Sequence, residues 1–429
     1  MNRFNASRVG AARLMALFTM LVTGALSAGA AAQPVEITFA NWAAAEGTTR
    51  PAIEQVIRDF EASHPDIKVR SEAIPFTEIA RQLVLRIRSG NPPDVAQLAG
   101  NDTFLVASSG KLEPLDAYVG ADLRSTLKPQ ALATLRYRNQ LIAFPWTLAP
   151  AGFWYNKAIM RKAGLNPDDP PKTIDALMAA LATVKRTQPD VIPLAVDTTN
   201  RPFAMQSNWP WMETFGAAPL GDGSAGADTP AMKSYLAWMR DLAQKGYIDP
   251  GRRIGEFRPL AAQDKVAFIW DQVLLQGVMQ AANKMSDADF YQHWGVTTLP
   301  AGPSRKASSF EGGHQLVLFA DGRQKKAAWT FVQYLATAPQ AIRAYTLGPG
   351  SSVPPLATVA EADLARKLDT PIYNAFARDI MPTVTTPPFG PAFANGSTAV
   401  MAGVQQAVTG TEPIDAIAKS IQQQLPKSP

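Results

Sequence analysis

The chain has 429 residues, no cysteine, and a formal charge of +5 from 41 basic and 36 acidic residues. That length exceeds what a single hydrophobic core sustains, so two or more domains are expected. The missing thiols exclude disulfides, thiolate metal sites and a catalytic cysteine, and no basic run interleaved with aromatics points to nucleic acid.

Residues 1–32 have the parts of a secretory leader: Arg3, Arg8 and Arg13, an apolar stretch from Leu14 to Leu26, and small residues from Ala28 to Ala32. The stretch is short for a bilayer span. A cleaved signal peptide is therefore expected, with an uncleaved anchor as the alternative. No acidic residue precedes Ala32, so removing the three arginines leaves the remainder at +2. No cysteine follows the leader to take a lipid, which predicts a freely diffusing periplasmic protein of a double-membraned bacterium and not a lipoprotein.

Val35 to Ala40 alternates with period two and predicts a strand. Pro51 to Ser63 carries Ile53, Val56, Ile57 and Phe60 at helical spacing, with Thr49 and Pro51 as start signals. Ile67 to Ser71 predicts a second strand, Thr77 to Ser89 a second helix, and Gly90 to Val95 the opening of a third strand. Strands alternating with helices of this length imply a parallel sheet built by right-handed crossovers.

The stretch Gln140 to Leu165 organises the rest. It is apolar and uncharged from Leu141 to Tyr155, yet Pro145 and Pro150 interrupt both a helix and a central strand. Extended chain crossing between two bodies fits, with a buried strand pair in one domain as the alternative. Asn156 to Gly164 then predicts a short helix. Beyond it come a helix from Thr173 to Arg186, a strand from Val191 to Val196, an aromatic cluster from Asn208 to Met212, a glycine-rich loop from Gly221 to Gly226, a helix from Pro230 to Lys245, and a strand from Lys265 to Asp271. Trp294 to Pro300 reads as a second crossing and Gly348 to Pro355 as a third. A helix from Gln324 to Leu335 and a closing helix pair, ending near Gln405 and Leu425, complete the chain.

Several of these pieces resemble the extracellular sugar-binding proteins of ABC importers, the family that includes maltose-binding protein. The matching motifs are His64-Pro-Asp-Ile-Lys-Val69, Gly90-Asn-Pro-Pro-Asp-Val95, Gly110-Lys-Leu-Glu-Pro-Leu115, Phe144-Pro145, Tyr155-Asn-Lys157, Ala163-Gly-Leu165 and Pro170-Pro-Lys-Thr173. Lys265 to Asp271 resembles the family strand whose end carries a ligand-facing aromatic, although the glycine usual before that ring is absent. The resemblance implies a two-lobed α/β fold, each lobe a mainly parallel sheet flanked by helices. The lobes would be 33–144 with 302–348 and 145–301 with 349–429, the ligand cleft lying between them.

It also implies a carrier that captures a carbohydrate by hinge closure and delivers it to a membrane permease, working as a monomer without catalysis, cofactor or metal. Sugars stack their C–H faces on aromatic rings and need planar polar partners for their hydroxyls. The expected ligand-binding residues are Trp42, Asn101, Asp102, Glu311, Gly312 and Gly313 in the first lobe, Trp146 at the hinge, and Trp209, Trp211, Trp270, Asp271 and Phe393 in the second. Trp154, Trp238, Trp294, Trp329 and His314 are expected to be structural. An exported glycosidase, which needs only two carboxylates, is the remote alternative. The same fold could instead take glycerol 3-phosphate, a polyamine or ferric iron.

Overall fold

A computed structural model describes residues 33–221, 226–349 and 351–426. The leader and most of the glycine-rich loop lie outside the described residues. Strand β1 (Val35–Asn41) pairs in parallel with β2 (Ile67–Ala73) and β3 (Val95–Ala99). The helices Arg50–Ser63 and Phe76–Arg88 connect them, burying Ile53, Val56, Ile57 and Phe60 from the first and Ile79 and Leu83 from the second. Pro51 sits in the first turn of the former, where its absent N–H is harmless. Thr49 does not cap it; its hydroxyl donates to the Ala43 carbonyl at 2.7 Å.

A small hairpin, β4 (Arg136–Tyr137) and β5 (Gln140–Leu141), precedes β6 (Phe144–Pro145). Then β7 (Ala151–Asn156) enters a second sheet with β8 (Ile192–Ala195), β9 (Val266–Gln272) and β10 (Trp294–Thr297). The chain returns to the first sheet as β11 (His314–Leu318). The sheet orders are β2-β1-β3-β11-β6 and β10-β7-β9-β8. One apolar core covers the first sheet and two cover the second, one on each face.

The expected fold class stands, but the sheets are mixed and not mainly parallel. β11 runs antiparallel to both β3 and β6, and β7 runs antiparallel to both β9 and β10. Direction follows from the crossings: β7 and β11 begin where the chain has just crossed, whereas β3 and β9 end there. A strand that leaves the junction must oppose its neighbours that arrive at it.

Two other expectations need correction. Trp294 to Thr297 is a strand of the second sheet, and Ser304, Ser308 and Phe310 still bond or pack against that lobe through Glu213 and Ala151. The second crossing therefore lies at Glu311–Gly313, later than residue 301, because Leu299 and Phe310 anchor the intervening chain in the second lobe's core. The cluster Asn208 to Met212, from which Trp209 and Trp211 are expected to reach the ligand, is not exposed. It lies within the helix Pro202–Thr214, where it is buried, with Pro210 inside the helix.

Candidate functional site

The C-terminal end of β3 leads directly into the helix Gly100–Ala107, which puts its first turn at the junction of the lobes, the usual ligand position in an open α/β sheet. Across from it stand the second lobe's helix Pro202–Thr214 and the start of the helix Pro391–Thr409. Asn101 Oδ1 accepts a hydrogen bond from the Gly390 backbone N–H at 2.9 Å. Gln206 Nε2 donates to the Glu311 carbonyl at 2.9 Å. Phe104 meets Phe389 with ring centroids 5.3 Å apart, and Phe389 packs against the cores of both lobes. These contacts form a seam between the lobes.

Glu311 is the centre of that seam. Its Oε1 accepts from the backbone N–H groups of Ala149, on the first crossing, at 2.7 Å and of Gly313, on the second, at 2.6 Å. Its Oε2 is shielded from solvent and has no hydrogen-bond partner. Burial pushes the carboxyl up to about 7, against the pull of the two backbone donors and Lys128. Lys128 itself donates to the carbonyls of Pro354 and Leu356, and burial pushes it down to about 8. Gly312 and Gly313 follow because the crossings touch here. A Cβ at residue 313 would lie 2.0 Å from the Thr147 carbonyl oxygen, and one at 312 would lie 2.2 Å from Gln272 Nε2. Gln272 in turn donates to the Ala149 carbonyl at 3.1 Å.

Behind Glu311, Thr103 donates to Gln315 Oε1 at 2.8 Å, and Gln315 Nε2 donates to the Gly313 carbonyl at 2.9 Å. Gly100, Phe104, Glu311, Gln315, Thr385 and Phe389 are among the residues around a cavity of about 20 Å³. That is room for about one water, so a larger molecule enters there only when the lobes part. Asp102, half-buried in the first helical turn, is pushed up to about 6 by desolvation. Larger surface grooves of 370 and 570 Å³ exist, but they lie away from this polar seam.

Of the expected site residues, the seam brings together Asn101, Asp102, Glu311, Gly312 and Gly313. The aromatics are elsewhere. Trp146 is fully buried and stacked on Tyr345 at 4.4 Å in the first lobe's core. Trp211 packs against Trp238 and Trp270 at 5.1 and 5.9 Å, deep in the second lobe. Trp270 donates from Nε1 to the Ser207 carbonyl at 2.9 Å. Trp209 and Phe393 lie one ring behind Phe389, with Phe393 edge-on to it at 5.0 Å. Trp42, buried at the end of β1, stands edge-on to His314 and Phe76. Asp271 is held by Arg258 through bonds of 2.8 and 2.9 Å.

His314 is half-buried, and desolvation of its ring pushes it down to about 4. Gln97 Oε1 accepts from the backbone N–H groups of Trp42 and Ala43, so its Nε2 faces His314 Nδ1 at 3.0 Å as the donor. The imidazole is thereby held neutral with Nδ1 accepting. Sequence reasoning missed Gln206, Gln272, Gln315, Phe104 and Phe389. Only Phe389 carried a signal, in the flanking Pro387-Pro388 and Gly390; the glutamines lie inside regular elements and look like any polar helix or strand residue.

The description bacterial extracellular solute-binding protein matches residues 44–342. The chain belongs to that family. Among its relatives, a putative binding protein of Brucella abortus (strain 2308) is 25% identical over 72% of this chain and 74% of its own length. The maltotriose-binding protein of Pyrococcus abyssi is 25% identical over 75% of this chain and 67% of its own. An ABC transporter solute-binding protein from Thermotoga lettingae, solved with alpha-D-tagatose, superposes with a TM-score of 0.74 at 24% identity, covering 92% of this chain and 98% of that one. This last likeness establishes the two-lobed fold. Among the described residues no helix is long and apolar enough to cross a membrane.

Proposed function

We propose that this solute-binding protein captures a carbohydrate, a mono- or oligosaccharide or a polyol, between its lobes and delivers it to the permease of an ABC importer. The observation that carries the reading is the seam. Polar groups from both lobes converge there on a small cavity, beside the crossings that carry Ala149 and Glu311–Gly313. Contacts shared between two lobes favour the closed form, whereas contacts with one lobe would shift nothing. Hinge closure of this kind is a known behaviour of periplasmic binding proteins. The sugar-binding relatives support the choice of cargo, and Asn101, Asp102, Gln206, Gln315 and Glu311 supply amides and carboxylates suited to hydroxyls.

In this reading the leader is removed, the protein diffuses in the periplasm as a monomer without a lipid anchor, and no bond in the cargo is broken. The test is thermal unfolding of residues 33–429 against sugars, polyols, glycerol 3-phosphate, polyamines and ferric citrate. A cargo present at about a hundred times its dissociation constant raises stability by about 2.7 kcal/mol. Stabilisation by one sugar family supports the reading. Stabilisation by glycerol 3-phosphate or ferric citrate alone overturns the carbohydrate assignment, and turnover of a glycoside overturns the carrier role.

A further inference from the structure

The charge balance at the seam narrows the class of cargo, an argument that rests on the carbohydrate reading above. The residues around the interlobe cavity include one ionisable side chain, Glu311, and no lysine or arginine. Its Oε2 is shielded and unpartnered while Oε1 is fully engaged by two backbone donors. Asp102 stands on the same helical turn as Gly100, which lines the cavity, and its carboxylate makes no hydrogen bond or ion pair among the described residues.

Other buried acids nearby are already served. Asp271 has Arg258, Asp197 has Arg201 at 3.0 Å, and Glu213 accepts from the hydroxyls of Thr385 and Ser308. Lys128 acts on Glu311 only at a distance, because its ammonium is committed to two carbonyls. Glu311 thus keeps a shielded, open acceptor, half-buried Asp102 has no side-chain partner, and Lys128, the cation that acts on Glu311, forms neither a hydrogen bond nor an ion pair with it. An isolated buried charge is unfavourable until a counter-charge or a proton arrives.

We infer that the cargo is a carbohydrate or polyol bearing a protonated amine, and that its ammonium donates to Glu311 Oε2 when the lobes close. A charge-assisted bond of this type is stronger than one to a neutral hydroxyl. The same field disfavours phosphate esters and sugar acids, which would bring a second anion to a carboxylate with no cation to spare. Hydroxyls on the cargo would meet Gln206, Gln315 and Asn101.

The experiment is calorimetric titration of residues 33–429 at neutral pH with glucosamine, galactosamine, amino-alditols and the deacetylated β-1,4 disaccharide of glucosamine, each against its N-acetyl and hydroxyl analogue, with glycerol 3-phosphate alongside. The amine is expected to bind at least about tenfold more tightly than its N-acetyl analogue. Glu311→Gln keeps the acceptor for Ala149 and Gly313 and should reduce that ratio to within about threefold. Asp102→Asn, on a half-buried position, should reduce it by about threefold and decides the matter if the first variant fails to fold.

Equal or tighter binding of the neutral analogues overturns the inference and leaves the carbohydrate reading standing. Binding of glycerol 3-phosphate alone overturns both, as does silence across the whole panel.

Discussion

The seam between the lobes and the aromatic cores behind it handle burial in opposite ways. In the cores, rings stack on rings, and the indole N–H groups of Trp146, Trp209, Trp211 and Trp238 have no hydrogen-bond partner; apolar area holds each lobe together. At the seam one ring pair, Phe104 and Phe389, is joined by single hydrogen bonds such as Asn101 to Gly390 and Gln206 to Glu311. Each contributes about 1 kcal/mol net, and water can replace it when the lobes separate. In the proposed carrier this difference lets the two bodies stay rigid while their junction opens.

The sharpest way to break that comparison is Trp211→Ala. Removing a fully buried ring from the second core should cost about 3–5 kcal/mol, read as a lower urea midpoint. A small loss of stability with a large loss of sugar binding would move the ring into the cleft. Trp270, bonded to the Ser207 carbonyl, is expected to behave in the same way.

Next in size is the pH dependence of Glu311. Its carboxyl is raised from 4.5 to about 7 in the folded protein, so between those values the native state holds a proton that the unfolded chain has released. Stability from this group is present below 4.5 and is lost as pH rises through 7, by about 3 kcal/mol. His314, lowered from 6.5 to about 4, acts in the opposite sense: its contribution is lost as pH falls from 6.5 towards 4. The observable is therefore the stability of wild type minus that of Glu311→Gln, which should fall steadily as pH rises across that range. A flat difference would mean that the carboxyl is ionised throughout.

Gly313→Ala should cost about 1–3 kcal/mol through overpacking against the Thr147 carbonyl and should loosen the hinge, seen as a larger radius of gyration by small-angle scattering. An unchanged radius and melting temperature would show that the crossings yield easily. The smallest effect is expected for Asn101→Ala. Losing one interlobe bond, about 1 kcal/mol, should shift the balance about fivefold towards the open form, measurable as a change in the distance between labels placed on the two lobes. No change would mean that the bond to Gly390 does not hold the seam.

The pattern of helices and strands was legible because Ile53, Val56, Ile57 and Phe60 can share a face only at helical spacing, and because Thr173 and Asn156 cap the helices they precede, accepting from Ala176 and Ile159. The polar residues of the seam left a clearer trace, since Asn101-Asp102 follows directly on a predicted strand and Gly312-Gly313 marks a turn, although the turn proved to be a crossing between the lobes. The aromatic half was misread. A tryptophan beside a strand end looks the same in sequence whether its face of the sheet is covered or open. At Trp270 that face is covered by Trp211 and Phe310, and Trp211 is itself backed by Trp238 and Phe153.

What the sequence determined by itself is local: periodicity, capping, prolines at 145 and 150 that forbid a helix and a central strand and leave Pro145 only an edge strand, and the family that those motifs resemble. Strand direction was decided by tertiary structure, because it depends on which strands arrive at a crossing and which leave it. So was the composition of the seam, where Gln206, Gln315 and Phe389 meet Glu311 from positions far apart in the chain. Such meetings depend on how two separately folded cores sit together, and no local preference of these residues encodes that.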